Sequence, residues 1–163
     1  MKNLRHSLTL AASVVILGIA LALSNTTSKV HAEGSGDSHV EGTWRVVVAP
    51  VGGPKFNALA TFTTGGTMVE SSSGGGDDKG GQGVWKKMGD RKFAFTLEQF
   101  SYDPAGNFSG SFKAREVDEF DHNYNSYSGV GTIDFYDATG KLVATVCART
   151  QATRMVVEPP ACH

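Results

Sequence analysis

From residue 40 onward the chain alternates apolar and polar side chains with a period of two, the spacing of a half-buried strand. Residues 43–49 (TWRVVVA) are β-branched and aromatic, and Pro50-Val51-Gly52-Gly53-Pro54 then breaks the run. In 56–64, Phe56, Ala58, Ala60 and Phe62 share one face. Gly65-Gly66 signals a hairpin into 67–72. Ser73 to Gly83 (SGGGDDKGGQG) reads as a long loop, followed by a short strand over 83–88. Strands are predicted over 91–102, with Phe93, Phe95 and Leu97 alternating, and over 108–117, with Phe112 and Ala114 on one face. Asp118 to Asn123 (DEFDHN) has the composition of an acidic turn. Two more strands, 124–136 and 141–157, flank the turn Asp137-Ala138-Thr139-Gly140.

Eight strands joined mostly by tight turns leave no room for parallel crossovers. The expected fold is all-β: one antiparallel up-and-down barrel of about eight strands, closed because closure removes the exposed edges of a long meander. A barrel of this size encloses side chains or one small ligand. Parity places Phe62, Met68, Phe93, Phe95, Phe112, Tyr127 and Phe135 inside. Gly129 and Gly131 share the inner face of their strand; they either leave space for a ligand or bend the strand to close the barrel.

The N-terminus does not follow the pattern. Lys2 and Arg5 precede an almost unbroken apolar run over 8–23, and Val30-His31-Ala32 fits the small-x-small cleavage rule. Residues 1–32 are expected to be a signal peptide cut after Ala32, with no stable membrane span afterwards. Residues 33–40 would be a flexible leader, 41–158 the barrel and 159–163 a tail. The mature chain is then secreted or periplasmic. Removing the leader takes three cations and no acid from the 15 Lys+Arg and 16 Asp+Glu, leaving 12 basic and 16 acidic residues, a net charge of −4. That balance disfavours nucleic acid as a partner, since phosphate neutralisation needs a basic surface. Export also permits a disulfide between Cys147 and Cys162, the two cysteines of the chain. The alternative is a buried Cys147 with a free tail thiol.

Gly42-Thr43-Trp44 opens the first strand, and Arg149 and Arg154 lie toward the end of the last. This Gly-x-Trp resembles the signature of the lipocalins and the wider calycin group, which includes avidin-like barrels. The resemblance implies that Trp44 plugs the closed end and that an Arg of the last strand, Arg149 or Arg154, packs over its indole at the seam. A cation on an aromatic face would stabilise that junction. Arg149 is taken as the partner. The mature domain is short for a lipocalin and lacks the helix that usually follows the last strand, so a lipocalin-like relative is expected.

Candidate chemistry is sparse. Glu70, Glu116 and Asp134 fall within strands. A carboxyl enclosed by apolar walls would have a raised pKa and could act as a general acid or base. On the outer wall, the commoner place for a charge, it would be solvated. Glu70, Glu116 and Tyr127 are the catalytic candidates. His122 has acidic neighbours, but its spacing fits no metal pattern, so no metal site and no cofactor are expected. The leading functional expectation is a secreted barrel binding a small apolar molecule through Phe62, Met68, Phe93, Phe95, Phe112, Tyr127 and Phe135. The first alternative is a cofactor-free isomerase or cyclase acting inside the barrel. The second is a non-catalytic inhibitor or envelope interaction module whose loops carry the function. Oligomeric state is left open.

Overall fold

The protein is represented by a computed structural model in which residues 39–74 and 80–161 are described. The expected signal peptide, the centre of the glycine loop and Cys162 lie outside these residues. Eight strands follow in order: β1 (Gly42–Pro50), β2 (Phe56–Phe62), β3 (Thr67–Ser72), β4 (Gly81–Lys87), β5 (Lys92–Tyr102), β6 (Phe108–Phe120), β7 (Ser126–Asp137) and β8 (Leu142–Arg154). Each pairs antiparallel with the next, and β8 pairs back onto β1 to close the barrel. No helix occurs among the described residues, so none there is long and apolar enough to cross a membrane.

The strand ends differ from the pattern-based reading at two informative places. β6 runs through Phe120, three residues beyond Val117, because Asp118 pairs with Phe93 on one side and Gly129 on the other. The true turn occupies 121–125, where Asp121 Oδ1 accepts the Asn125 and Ser126 amides at 3.0 and 3.3 Å and Tyr124 takes φ 56°. β8 stops at Arg154, the last residue in register with β1, where it meets Trp44; Met155 still donates to the Thr43 carbonyl at 2.9 Å, and Val157 is fully exposed.

One end of the barrel is plugged by aromatic rings. Trp44 is 0 % exposed and lies 4.9 Å from the Tyr127 ring and 5.6 Å from Phe120. Phe93, also fully buried, packs at 5.3 Å on Phe62 and 5.1 Å on Phe120. Tilted and edge-on ring pairs of this kind add to plain area burial.

The seam cation is Arg154, not Arg149. Trp44 faces Arg154 across the β1–β8 ladder, and the Arg154 guanidinium carbon sits 4.1 Å from the indole centroid. Arg149 is five residues away, an odd step, so it points to solvent from the outer wall. Arg154 also donates to the carbonyls of Glu41 at 2.7 Å, Tyr124 at 3.3 Å and His39. These bonds draw 39–41 across the closed end. Val40, read as the end of a flexible leader, is 1 % exposed and accepts a 3.0 Å bond from Trp44 Nε1. The glycine of Gly-x-Trp has a local reason as well. Gly42 holds φ +119°, and a Cβ there would meet Arg154 Nη1 at 3.1 Å.

Candidate functional site

The end opposite Trp44 is bordered by the β1–β2, β5–β6 and β7–β8 connections. Two of these turns are built by aspartates. Asp103 Oδ1 accepts the Ala105 and Asn107 amides, and Asp137 Oδ1 accepts those of Thr139 and Lys141, at 2.8–3.0 Å. These bonds favour the charged carboxylate, so both aspartates titrate below the usual range, Asp103 chiefly through Asn107 and Asp137 chiefly through Thr139.

Inside the rim lies a vestibule of about 340 Å³ with Phe56, Tyr102, Phe112, Phe135 and Val146 among its walls. Deeper in the lumen is an inner chamber of about 70 Å³. Phe56, Ser72, Phe112 and Ile133 line both spaces. Met68, Phe95 and Leu97 supply apolar wall to the inner chamber; Glu70, Glu116, Tyr127 and Thr150 supply its polar groups.

The candidate ligand residues therefore divide by height in the barrel. Met68, Phe95, Phe112 and Tyr127 line the chamber, and Phe135 stands at the vestibule, 39 % exposed beside a strand irregularity at Phe135/Tyr136. Phe62 and Phe93 face inward but belong to the closed-end plug and line neither space. All three candidate catalytic residues, Glu70, Glu116 and Tyr127, line one chamber. Asp134 is on the outer wall, where Thr145 and then Arg115 hold its carboxyl below the usual range.

The chemistry centres on a residue the sequence reading assigned to a turn. Asp118 is 1 % exposed, two residues beyond Glu116 on the inner face of β6. The Thr150 hydroxyl on β8 contacts Glu116 Oε1 and lies 3.4 Å from Asp118 Oδ1. Asp118 Oδ2 has no hydrogen-bond partner among the described residues. No lysine or arginine among them pairs with either carboxyl; the described ion pairs link Arg45 to Glu158, Arg91 and Lys92 to Glu119, Lys113 to Glu98, and Arg115 to Asp134. Burial raises the pKa of both inner acids, and the charge of Glu116 raises Asp118 further. Tyr127 is pushed well above its ordinary value, first by burial and then by the two acids, so it stays a protonated donor. The arrangement is a pair of buried carboxyls of which Glu116 faces a largely apolar chamber and Asp118 lies beside it, outside the chamber walls.

The two glycines of β7 make room for this pair. A Cβ on Gly129 would collide with Asp118 Oδ1 and come within 2.5 Å of Glu116 Oε1. One on Gly131 would strike the Arg115 carbonyl oxygen and meet Glu116 Cβ at 3.1 Å. The space opened at Gly129 is thus taken by two side chains of the barrel itself. Gly129→Ala should displace both carboxyls and lower stability by about 1–3 kcal/mol, the usual range for overpacking a filled site. Urea unfolding of the variant measures this, and an unchanged midpoint would contradict the close packing.

Other predicted features play no part in the chamber. Cys147 is exposed on the outer wall and unpaired among the described residues; its suggested partner, Cys162, lies outside them. His122 Nδ1 is 3.2 Å from Arg91 Nη1 in the closed-end turn. Among the described residues no group of three or more His, Cys, Asp or Glu side chains is placed to hold a metal ion.

No family model matches the chain, and no curated protein matches its sequence. Among solved structures it is similar to a redesigned β barrel, with 15 % identity and a TM-score of 0.47, covering 73 % of this chain and 94 % of that one.

Proposed function

We propose that the protein is an exported, lipocalin-like barrel that holds a small apolar molecule in its lumen. The observation that carries this reading is the pair of adjoining spaces in the lumen, walled by Phe56, Met68, Phe95, Phe112 and Ile133. Ligand sites are typically concave, mostly apolar and furnished with a few polar groups that orient the ligand. Here apolar wall would supply desolvation, while Glu70, Glu116, Thr150 and Tyr127 would orient one end. The inner chamber is small against the roughly 300–1,000 Å³ of common ligand pockets. It suits a head group, with the body of the molecule in the vestibule. A hollow lumen supports this reading over an interaction module with a filled interior.

Ile133 lines both spaces, so Ile133→Trp should obstruct the passage between them. The expected result is at least an approximately tenfold loss of affinity for a fluorescent hydrophobic dye, equivalent to about 1.4 kcal/mol. Equal dye binding by a folded Ile133→Trp variant would place the dye elsewhere and count against luminal binding.

The inward Glu116 beside Tyr127 favours a second reading, a cofactor-free isomerase or cyclase that moves a proton on an apolar substrate. Mass spectrometry of the protein purified from its source separates the two readings. A co-purifying molecule released unchanged after incubation in deuterated water supports simple binding; one that has gained deuterium at carbon supports proton shuttling.

A further inference from the structure

The acid pair restricts what the lumen can hold. Glu116 and Asp118 are 8 % and 1 % exposed and stand side by side on β6. Thr150 has a single hydroxyl hydrogen to offer them, and Asp118 Oδ2 has no partner at all among the described residues. A buried acceptor left without a donor keeps its full desolvation penalty. Two adjacent carboxylates without a counter-ion are costlier still, so an empty barrel must keep a proton on the pair. Arg154, the inward cation of β8, is committed to Trp44 and the backbone carbonyls of the closed end. Arg115 also borders the inner chamber, but its guanidinium is paired with Asp134. Among the described residues no other cation borders the chamber, so Glu116, with Asp118 beside it, faces that space without a counter-ion.

We propose that the ligand is an amphiphilic amine, whose ammonium group sits on the Glu116–Asp118 pair while its apolar body fills the vestibule. This rests on the luminal-binding reading and names the ligand class for that site. The ammonium offers two or three N–H donors to Glu116, which lines the chamber, while Asp118, beside Glu116 on β6 and not among the chamber walls, supplies the second acid of the pair. It takes the place of the shared proton, which leaves to solvent, so the enclosed charge stays balanced. A neutral alcohol offers one donor and displaces no proton. A carboxylate brings a further negative charge and is repelled. The inner chamber, about 70 Å³, admits a head group of a few heavy atoms. The amine must therefore be terminal and unhindered, on a chain or ring that reaches the vestibule.

The test is calorimetric titration of the full barrel with n-heptylamine, n-heptanol and n-heptanoate at pH 7, repeated in two buffers of different ionisation enthalpy. The expected order is amine, alcohol, carboxylate, with the amine at least about tenfold tighter than the alcohol. About one proton should be released per amine bound and none per alcohol. The double variant Glu116→Gln, Asp118→Asn, its folding checked by thermal transition, should bind amine and alcohol with a ratio near one. If that variant does not fold, proton release by the wild-type protein decides. Equal affinity for amine and alcohol, absence of proton release, or an amine preference that survives the double substitution would overturn the amine assignment while luminal binding stands. Failure of all three probes to bind would overturn both.

Discussion

Trp44→Ala should lower the unfolding free energy by about 3–5 kcal/mol, the range for truncating a fully buried large aromatic. A domain of this kind has only about 5–15 kcal/mol in total. The indole is 0 % exposed, packs on Phe120 and Tyr127, and bonds Val40 through Nε1. Its loss opens a void at the point where β1 and β8 close the barrel. Arg154→Ala should be costly as well, because it removes a cation from the ring face and strips a donor from the carbonyls of Glu41, Tyr124 and His39. Arg149→Ala, on the outer wall, should stay within about 0.5 kcal/mol of the parent. Urea unfolding of the three variants is the measurement. If the Arg154 variant proves as neutral as the Arg149 variant, the seam does not depend on that cation. A double-mutant cycle between Trp44 and Arg154 should show coupling of about 1 kcal/mol or more, beyond the sum of the single losses.

The contrast between these two arginines shows what was legible in the sequence and what was not. Period-two alternation carries strand existence and inward parity, and it led to eight strands and an antiparallel barrel. It says nothing about height. Phe62 and Phe93 are inward as their parity requires, yet register sinks them into the plug below the chamber. Choosing Arg149 required an odd step from Arg154, and only the β1–β8 pairing shows which arginine meets Trp44.

Asp118 was missed for a different reason. Asp-Glu-Phe-Asp-His-Asn has the local composition of a turn, and an unpaired aspartate is an unfavourable strand residue. Ladder pairing to Phe93 and Gly129 overrides that preference. A signal did exist: counting by twos from Phe112 through Ala114 and Glu116 reaches Asp118 and Phe120. Such a conflict between local propensity and tertiary placement is characteristic of functional sites, which keep groups that a purely structural core would reject. Gly129 fits the same picture, since its missing Cβ is needed by the very carboxyls that the local pattern assigned elsewhere.

The pair should also leave a mark on stability as a function of pH. The Asp118 pKa is pushed up from an ordinary 3.8 to about 10, and Glu116 is raised as well, burial being the main cause in both. A folded-state acid with a raised pKa contributes its stability fully below the unfolded value and loses it as pH climbs toward the folded one. Between about pH 5 and 9 the folded barrel therefore holds more protons than the unfolded chain, and stability should fall with rising pH by up to about 1.4 kcal/mol per unit for each excess proton. Around the chamber that Glu116 lines, Glu70 from β3 is a further carboxyl, Tyr127 from β7 and Thr150 from β8 are neutral over this range, Arg115 is paired with Asp134, and β1, β2 and β5 present Val46, Ala58 and Leu97. Asp103, Asp121, Asp134 and Asp137 are shifted the opposite way, so their contribution is present above the ordinary carboxylate range and fails only as pH drops through and below it. The two windows are separate, and the alkaline slope can be read alone. Asp118→Asn keeps the shape of the protonated side chain and removes the ionisation. It should flatten the slope and raise stability at pH 8 by about 1.4 kcal/mol for each pH unit over which the parent must hold a proton that its unfolded chain has lost. Thermal unfolding of parent and variant at pH 5, 6.5 and 8 measures both effects. Parallel profiles would mean that Asp118 does not hold a proton in the folded barrel. A variant that is more stable but has lost its preference for heptylamine over heptanol would show that the parent retains this destabilising group for the ligand it recognises.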